Sequence, residues 1–196
     1  MIIKESSFLI SVASEDKLQN LNAAEFAFVG RSNCGKSSLI NFLANKKGLA
    51  KTSSTPGLTK LVNYFWFNQS QENKFVLVDL PGYGFSKAGK KAHGLWSSLI
   101  EAYLLESKNL KRVFVLVDIR HEPNELDKTM VEFLYYNQIP FTVVATKADK
   151  IPKSKQFSCV SLIAKTLKIA SGNVIVSSSE SKTGRDEILK IIEENL

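Results

Sequence analysis

With 196 residues, 44% of them apolar, the chain has the length of one ordinary domain and enough hydrophobic side chains to build a core. It has no apolar run of about 18 residues, and residues 1–10 carry Lys4 and Glu5 where a signal peptide would be uninterrupted and apolar, so neither a membrane span nor a secretory leader is expected. Cys34 and Cys159, far apart, make no disulfide framework or zinc site and point to a reducing, cytoplasmic setting.

The net charge of +7, from 26 basic and 19 acidic residues, is unevenly spread. No acid occurs between Glu25 and Glu72, an interval holding Arg31, Lys36, Lys46, Lys47, Lys51 and Lys60. A second acid-free interval, from Asp79 to Glu101, holds Lys87, Lys90 and Lys91. One account is a positive field that attracts a nucleotide. The other is contact with a further polyanion such as RNA, because these lysines are too many for one triphosphate.

In chain order, residues 1–22 are a polar–apolar lead-in with a candidate edge strand at 8–12. Residues 25–29 predict a buried parallel strand. Gly30-Arg31-Ser32-Asn33-Cys34-Gly35-Lys36-Ser37 follows, then Ser38 and an apolar helical spacing to about Asn45. Glycines at the first and sixth positions and a closing Lys-Ser form the P-loop pattern, in the strand–loop–helix context it requires. Gly30 and Gly35 permit a tight loop whose backbone N–H groups converge on anionic oxygens, and the helix start adds unpaired donors and a positive dipole end. Lys36 is expected to reach the β- and γ-phosphates, and the Ser37 hydroxyl to ligate Mg²⁺, a hard cation that prefers oxygen.

Residues 46–60, basic and rich in Ser, Thr and Gly, predict a mobile loop. The aromatic run 61–67 and the apolar run 75–78, separated by a polar turn, predict an antiparallel hairpin whose core takes Phe65, Trp66 and Phe67. Asp79-Leu80-Pro81-Gly82 ends the second strand in a D-x-x-G form. Asp79 can hold Mg²⁺ through water, and the Gly82 N–H can bind a γ-phosphate. A Gly/Lys-rich loop to about His93 precedes a helix over 94–107 with Leu95, Leu99, Tyr103 and Leu104 on one face. Strands at 113–117, 141–145 and 173–176 alternate with helices at about 123–137 and 153–169, and a last helix starts near Thr183 or Gly184. Such alternation predicts a parallel sheet with helices on both faces. Ligands of such sheets sit at the carboxyl ends of the strands, so the P-loop, Asp79, Asp118, Lys147 and Ser177 should share one rim.

Thr146-Lys147-Ala148-Asp149 follows a buried strand. A carboxylate at Asp149 can accept both N1–H and N2–H of guanine, whereas adenine would leave it unpaired. The Lys147 stem can lie over the base, and Ser177-Ser178-Ser179 can aim backbone N–H groups at guanine O6. His93 and His121 are read as structural or solvent-exposed. Cys34, near a helix N-terminus, is either an oxidisable thiol of lowered pKa or a small residue packed under the phosphates.

These pieces, together with Ser-Ser-Thr-Pro-Gly-Leu-Thr, Asp-Leu-Pro-Gly-Tyr-Gly, Val-Asp-Ile-Arg-His and Ala-Thr-Lys-Ala-Asp-Lys, resemble the EngB (YihA/YsxC) family of small bacterial GTPases, of the TrmE–Era–EngA–EngB–septin class, over nearly the whole chain. The resemblance implies a Ras-like P-loop GTPase fold: an α/β architecture with a six-stranded, mostly parallel sheet, one antiparallel strand, and helices on both faces. It implies one GTP-binding domain over 1–196, a role in large ribosomal subunit assembly, and a link to cell division and septation. By the same carry-over Thr59 is the switch I ligand of Mg²⁺ beside Ser37, with Gly57, Leu58, Lys60 and Leu61 around the nucleotide. Lys36, Thr59 and Gly82 form the catalytic set. Two departures stand out: switch I reads Gly57-Leu58-Thr59-Lys60 where members often have Gly-Arg-Thr-Gln, and Thr146 replaces the Asn of many GTPases, which leaves the usual amide brace to the P-loop open.

The expected activity is hydrolysis of GTP to GDP by a monomer with ribosomal RNA or the large subunit as partner and no membrane. Tyr83 follows Gly82 where Ras-like enzymes carry the Gln that orients water, so a slow intrinsic rate is expected. A GTP-gated binding module with little turnover is one rival; a P-loop ATPase, disfavoured by Asp149, is another. Asn33 holds the position at which several relatives bind potassium. Its amide either ligates that ion or hydrogen-bonds the loop backbone.

Overall fold

The structure is a computed structural model that describes residues 1–51, 61–83 and 98–196. Seven strands form one sheet: β1 (Ser6–Val12), β2 (Ala24–Gly30), β3 (Val62–Phe67), β4 (Phe75–Asp79), β5 (Leu110–Asp118), β6 (Phe141–Thr146) and β7 (Val174–Val176). The helices are α1 (Lys36–Ala44), α2 (Ser98–Glu106), α3 (Glu125–Tyr136), α4 (Lys153–Leu167) and α5 (Arg185–Glu193).

The strand order is β1-β3-β4-β2-β5-β6-β7. Strands β4, β2, β5, β6 and β7 run parallel, while β3 is antiparallel to both of its neighbours. The α/β fold with a predominantly parallel sheet and an antiparallel hairpin is as expected, but the sheet has seven strands rather than six. The seventh is the edge strand expected at 8–12, which begins at Ser6 and pairs along all of β3. Its pairing covers backbone groups that β3 would otherwise leave unpaired at an edge. The Phe8 and Phe65 rings meet edge-on at 5.7 Å.

Side-chain alternation sorts the strand residues into two layers. Ala27, Val29, Val78, Val115 and Val143 face Leu99, Tyr103, Met130, Leu134 and Ile163, from helices α2, α3 and α4. Phe26, Phe28, Leu77, Phe114 and Val144 face Leu39, Ile40 and Leu43 of α1 and Ile188, Leu189 and Ile192 of α5. In the second layer Phe28 packs edge-on against Phe114 at 5.3 Å, and Phe26 against Phe75 at 5.8 Å. Burying each such side chain stabilises the fold by roughly 1.5–3 kcal/mol, so this sandwich holds the central strands rigidly. Leu99, Tyr103 and Leu104 of α2 are buried as the spacing predicts; Leu95 lies outside the described residues. No helix among the described residues is long and apolar enough to cross a membrane.

Five parallel strands pointing one way bring Gly30, Asp79, Asp118, Thr146 and the residues after Val176 to a single rim.

Candidate functional site

The P-loop leaves β2 at Gly30. A Cβ there would lie 2.6 Å from the Leu116 carbonyl oxygen and 2.7 Å from Cys34 Sγ, so only glycine fits. Gly35, at φ 106°, caps α1 in the left-handed region that glycine adopts without strain. Helix α1 starts at Lys36 with Ser37 and Ser38 in its first turn and no acid there to offset the positive end of its dipole. Lys36 Nζ reaches back over the loop to the Gly30 carbonyl at 3.4 Å. Cys34 is buried, and burial pushes its thiol up despite the nearby Lys36. It is the packed residue of the two alternatives, not an activated thiol.

Asp79 ends β4 and is 5% exposed. Its Oδ1 makes no hydrogen bond among the described residues. Burial pushes its carboxyl up to about 6, against the pull of Lys36 and a hydrogen bond from Asn63. A buried carboxylate oxygen without a partner is costly and fits a hard cation or that cation's water. With the Ser37 hydroxyl the donors are all oxygen, which suits Mg²⁺. No cluster of three or more His, Cys, Asp or Glu occurs among the described residues.

Leu80 and Pro81 are buried, and Leu80 N–H donates to Phe28 O at 3.0 Å, so the D-x-x-G turn is fixed to the strand ends through its backbone. A Cβ on Gly82 would stand 2.9 Å from Ser32 Oγ. The next residue pairs with the P-loop itself: Tyr83 N–H donates to Gly30 O, and Ser32 N–H to Tyr83 O, both at 3.3 Å. The Tyr83 side chain is buried, with its hydroxyl 2.8 Å from Asp127 Oδ1.

At the other end of the rim the Thr146 hydroxyl stands 2.6 Å from Cys34 O and 3.0 Å from Val117 O. Threonine thus supplies the P-loop brace that an asparagine supplies elsewhere. Lys147, at φ 61°, places Nζ 2.6 Å from Asn33 O and 2.9 Å from Asp118 Oδ2. Asp118 is also gripped by Arg120 through Nε at 2.9 Å and Nη2 at 2.7 Å. Burial raises the Asp118 carboxyl, but the Arg120 and Lys147 contacts outweigh it and hold the group well below the usual carboxylate range.

Asp149 Oδ1 accepts the Ser178 hydroxyl at 2.6 Å, and Oδ2 lies 3.0 Å from Lys150 Nζ. The Ser178 bond first, and Lys150 with it, holds the Asp149 carboxyl below its ordinary value, so it stays ionised at neutral pH. Ser178 Oγ accepts from the N–H groups of Glu180 and Ser181 at 3.2 and 3.0 Å, which fixes its direction. Ala148 N–H donates to Ser177 O at 3.1 Å, joining the two loops, while Ser179 is exposed. Each oxygen of Asp149 has one partner in this structure and lone-pair capacity for one further N–H donor.

Gly57, Leu58, Thr59 and Lys60 lie outside the described residues, as do Lys87, Lys90, Lys91 and His93; Leu61 is half-buried just before β3. Lys46, Lys47 and Lys51 are exposed, with Lys46 Nζ on Ser6 O at 3.2 Å. His121 is exposed and lines a cleft with Arg31, Asn33 and Cys34 of the P-loop, Asp118, Arg120 and Lys147. Sequence reasoning missed the Asp127 partner of Tyr83 and the Arg120 grip on Asp118. Asn124-x-x-Asp127 has the spacing of a helix capping box, which marks a helix start but not the Tyr83 pairing; Asp118 and Arg120, two residues apart at a strand end, carried a direct signal.

A family model described as "50S ribosome-binding GTPase" matches residues 25–147. The probable GTP-binding protein EngB of Clostridium kluyveri is 45% identical over 98% of this chain and 96% of its own length. That of Caldanaerobacter subterraneus is 44% identical over 99% and 98%. Among solved structures, a variant of Aquifex aeolicus Era bound to GDP and aluminium fluoride superposes with a TM-score of 0.71 at 24% identity, and a probable GTP-binding protein EngB with 0.65 at 23%; these show the fold. They cover 88% and 87% of this chain, and 56% of Era against 100% of that EngB. Era with MgGDPNP and a segment of 16S ribosomal RNA gives 0.70 at 25% identity, over 88% of this chain and 56% of that one.

Proposed function

This chain belongs to the EngB family of P-loop GTPases, and from that footing we propose that it is a cytoplasmic, monomeric GTP-hydrolysing switch, one GTP-binding domain over 1–196, that assists assembly of the large ribosomal subunit, with a link to division and septation. The observation that carries the switch reading is the pair of bonds from Thr146 and Lys147 to Cys34 O and Asn33 O. They lock the guanine-selecting segment to the phosphate loop, so base and phosphates are read by one rigid frame. The family model's description supports the ribosomal half, and the Era complex with Mg²⁺, nucleotide and ribosomal RNA shows that a relative of this fold meets all three.

In this reading residues 30–38 cradle the phosphates, and Lys36 balances charge on the β–γ bridge as the phosphoryl group passes to water and GDP leaves. Gly82 N–H donates to a γ-phosphate oxygen. Asp149 accepts from guanine N1–H and N2–H, Lys147 and Ala148 flank the base, and the 177–179 loop meets O6. Ser37, Thr59 and, through water, Asp79 would hold Mg²⁺, which supplies charge neutralisation at the β- and γ-oxygens. Potassium near Asn33 is a further candidate ion.

A second reading is favoured by one observation. Tyr83, at the place of the water-orienting glutamine, is buried on Asp127 and offers nothing to an attacking water. A GTP-gated binding module with little turnover of its own follows. Multiple-turnover assays of the isolated protein decide it: fast hydrolysis without a partner would remove the slow-switch idea. Co-sedimentation with ribosomal subunits, in GTP analogue or GDP and across a salt series, tests the partner. An RNA contact should weaken steeply with salt, and Ala at Lys87, Lys90 and Lys91 should flatten that slope; no binding in either nucleotide state would sink the ribosomal reading.

A further inference from the structure

Tyr83 is held at three points. Its hydroxyl donates to Asp127 Oδ1 at 2.8 Å, with Tyr83 and Asp127 each 3% exposed. Its N–H and C=O each pair with the P-loop, on Gly30 and Ser32. Asp127 is itself fixed: its Oδ2 accepts Asn124 N–H at 3.0 Å, and its own N–H donates to Asn124 Oδ1 at 3.1 Å, closing the capping box of α3. Gly82, the residue just before, packs closely on Ser32: a Cβ there would stand 2.9 Å from its Oγ and 3.0 Å from its backbone N. One tyrosine therefore rivets the end of the D-x-x-G turn to both the P-loop and the first turn of α3.

We propose that Tyr83 is the positioning residue for γ-phosphate recognition: its bond to Asp127 keeps the Gly82 N–H set over the P-loop before nucleotide arrives. The inference rests on Gly82 as the γ-phosphate contact. GDP does not reach that residue, so a released turn costs GDP nothing. GTP would have to order the turn on binding, and that cost lowers its affinity alone. A buried hydrogen bond to a carboxylate is strong enough to hold such a turn. The latch thus sets the discrimination between the two nucleotides and not the strength of binding in general.

The test is fluorescence titration of the full chain with GppNHp and with GDP, for the parent, Tyr83→Phe, Asp127→Ala and the double variant, with thermal unfolding as a check on folding. Tyr83→Phe keeps the ring and removes only the hydroxyl. It should weaken GppNHp about ten-fold and GDP less than about two-fold. Asp127→Ala should do the same, and the double variant should be no worse than the poorer single one, because both remove one shared bond. Equal losses for both nucleotides would make the contact merely structural and overturn the proposal. So would an unchanged GppNHp-to-GDP ratio, additive losses, or tighter GppNHp binding, the last marking a clasp that the γ-phosphate must break. A parent protein that fails to bind GppNHp would sink the switch reading itself, whereas normal parent binding with unmoved variants would sink only the latch.

Discussion

The Thr146 hydroxyl, at the end of β6, lies 2.6 Å from the carbonyl of Cys34 in the P-loop. The same oxygen is 3.0 Å from Val117 O at the end of β5, so one small side chain ties three neighbouring segments of the rim together. Gly35 is required beside it by its φ of 106° and not by space, since a Cβ there would make an ordinary 3.7 Å contact with Thr146. Thr146→Val preserves the shape and removes the donor. Losing a buried partner costs about 1–3 kcal/mol. The expected result is a lower Tm and several-fold weaker binding of GDP and GTP alike. An unchanged Tm and unchanged affinities would show that the brace contributes nothing.

Guanine selectivity should follow Asp149. Its carboxylate is ionised and oriented by Ser178 at 2.6 Å, ready for two donors on the base edge. Asp149→Asn exchanges one acceptor for a donor. GTP should then bind more weakly and xanthosine triphosphate, whose C2 carbonyl needs a donor, more tightly. Competition among GTP, ATP and XTP measures both changes. Equal affinity of the parent for GTP and ATP would refute the assignment.

The order of elements and the shared rim were legible because apolar runs such as 113–117 and 141–145 are buried on both faces, and a parallel sheet then fixes which ends face the ligand. The seventh strand was harder to place. Phe8, Leu9 and Ile10 remain exposed, so their pattern marks an edge strand without saying which neighbour it joins. Residues whose role depends on a distant partner were the least legible. Nothing near Tyr83 in sequence announces Asp127, 44 residues away, and Thr146 stands 112 residues from the carbonyl it braces. Glu25 gave no sign at all, because an acid at a strand start ordinarily marks solvent.

Glu25 is in fact fully buried, with Oε2 accepting the hydroxyls of Tyr103 at 2.8 Å and Ser107 at 2.9 Å, and Oε1 without a hydrogen bond among the described residues. Burial pushes its carboxyl up, and the two hydroxyl donors only partly offset this. The folded chain therefore holds a proton that the unfolded chain releases near the ordinary glutamate value. The associated stability is full below that value and falls as pH rises through the raised one. Glu25→Gln keeps an acceptor for Tyr103 and Ser107 and cannot ionise. It should flatten the decline in Tm as pH rises from the ordinary glutamate value through the raised one. A parent protein whose Tm climbs over that interval while the variant's does not would contradict the assignment.

Negative charge develops along the β–γ bridge as the phosphoryl group transfers and must be balanced. With Tyr83 turned inward onto Asp127, the residue after Gly82 supplies no polar group at the phosphates. Arg31 and Asn33 are both exposed and line one cleft with Asp118 and Arg120. Asn33 is the one of the two whose side chain can ligate a cation. Its backbone sits at φ 64°, its carbonyl is occupied by Lys147 Nζ at 2.6 Å, and the residue is exposed at the crest of the P-loop. An amide oxygen there is a hard ligand suited to a monovalent cation, whose charge would lie beside the β–γ bridge. Hydrolysis should then run about ten-fold or more faster in potassium than in sodium at matched ionic strength, in keeping with the worth of a charge-stabilising group at a transition state. Asn33→Ala should abolish that stimulation. Equal rates in the two salts would remove the ion from the mechanism and leave the missing cation to a partner.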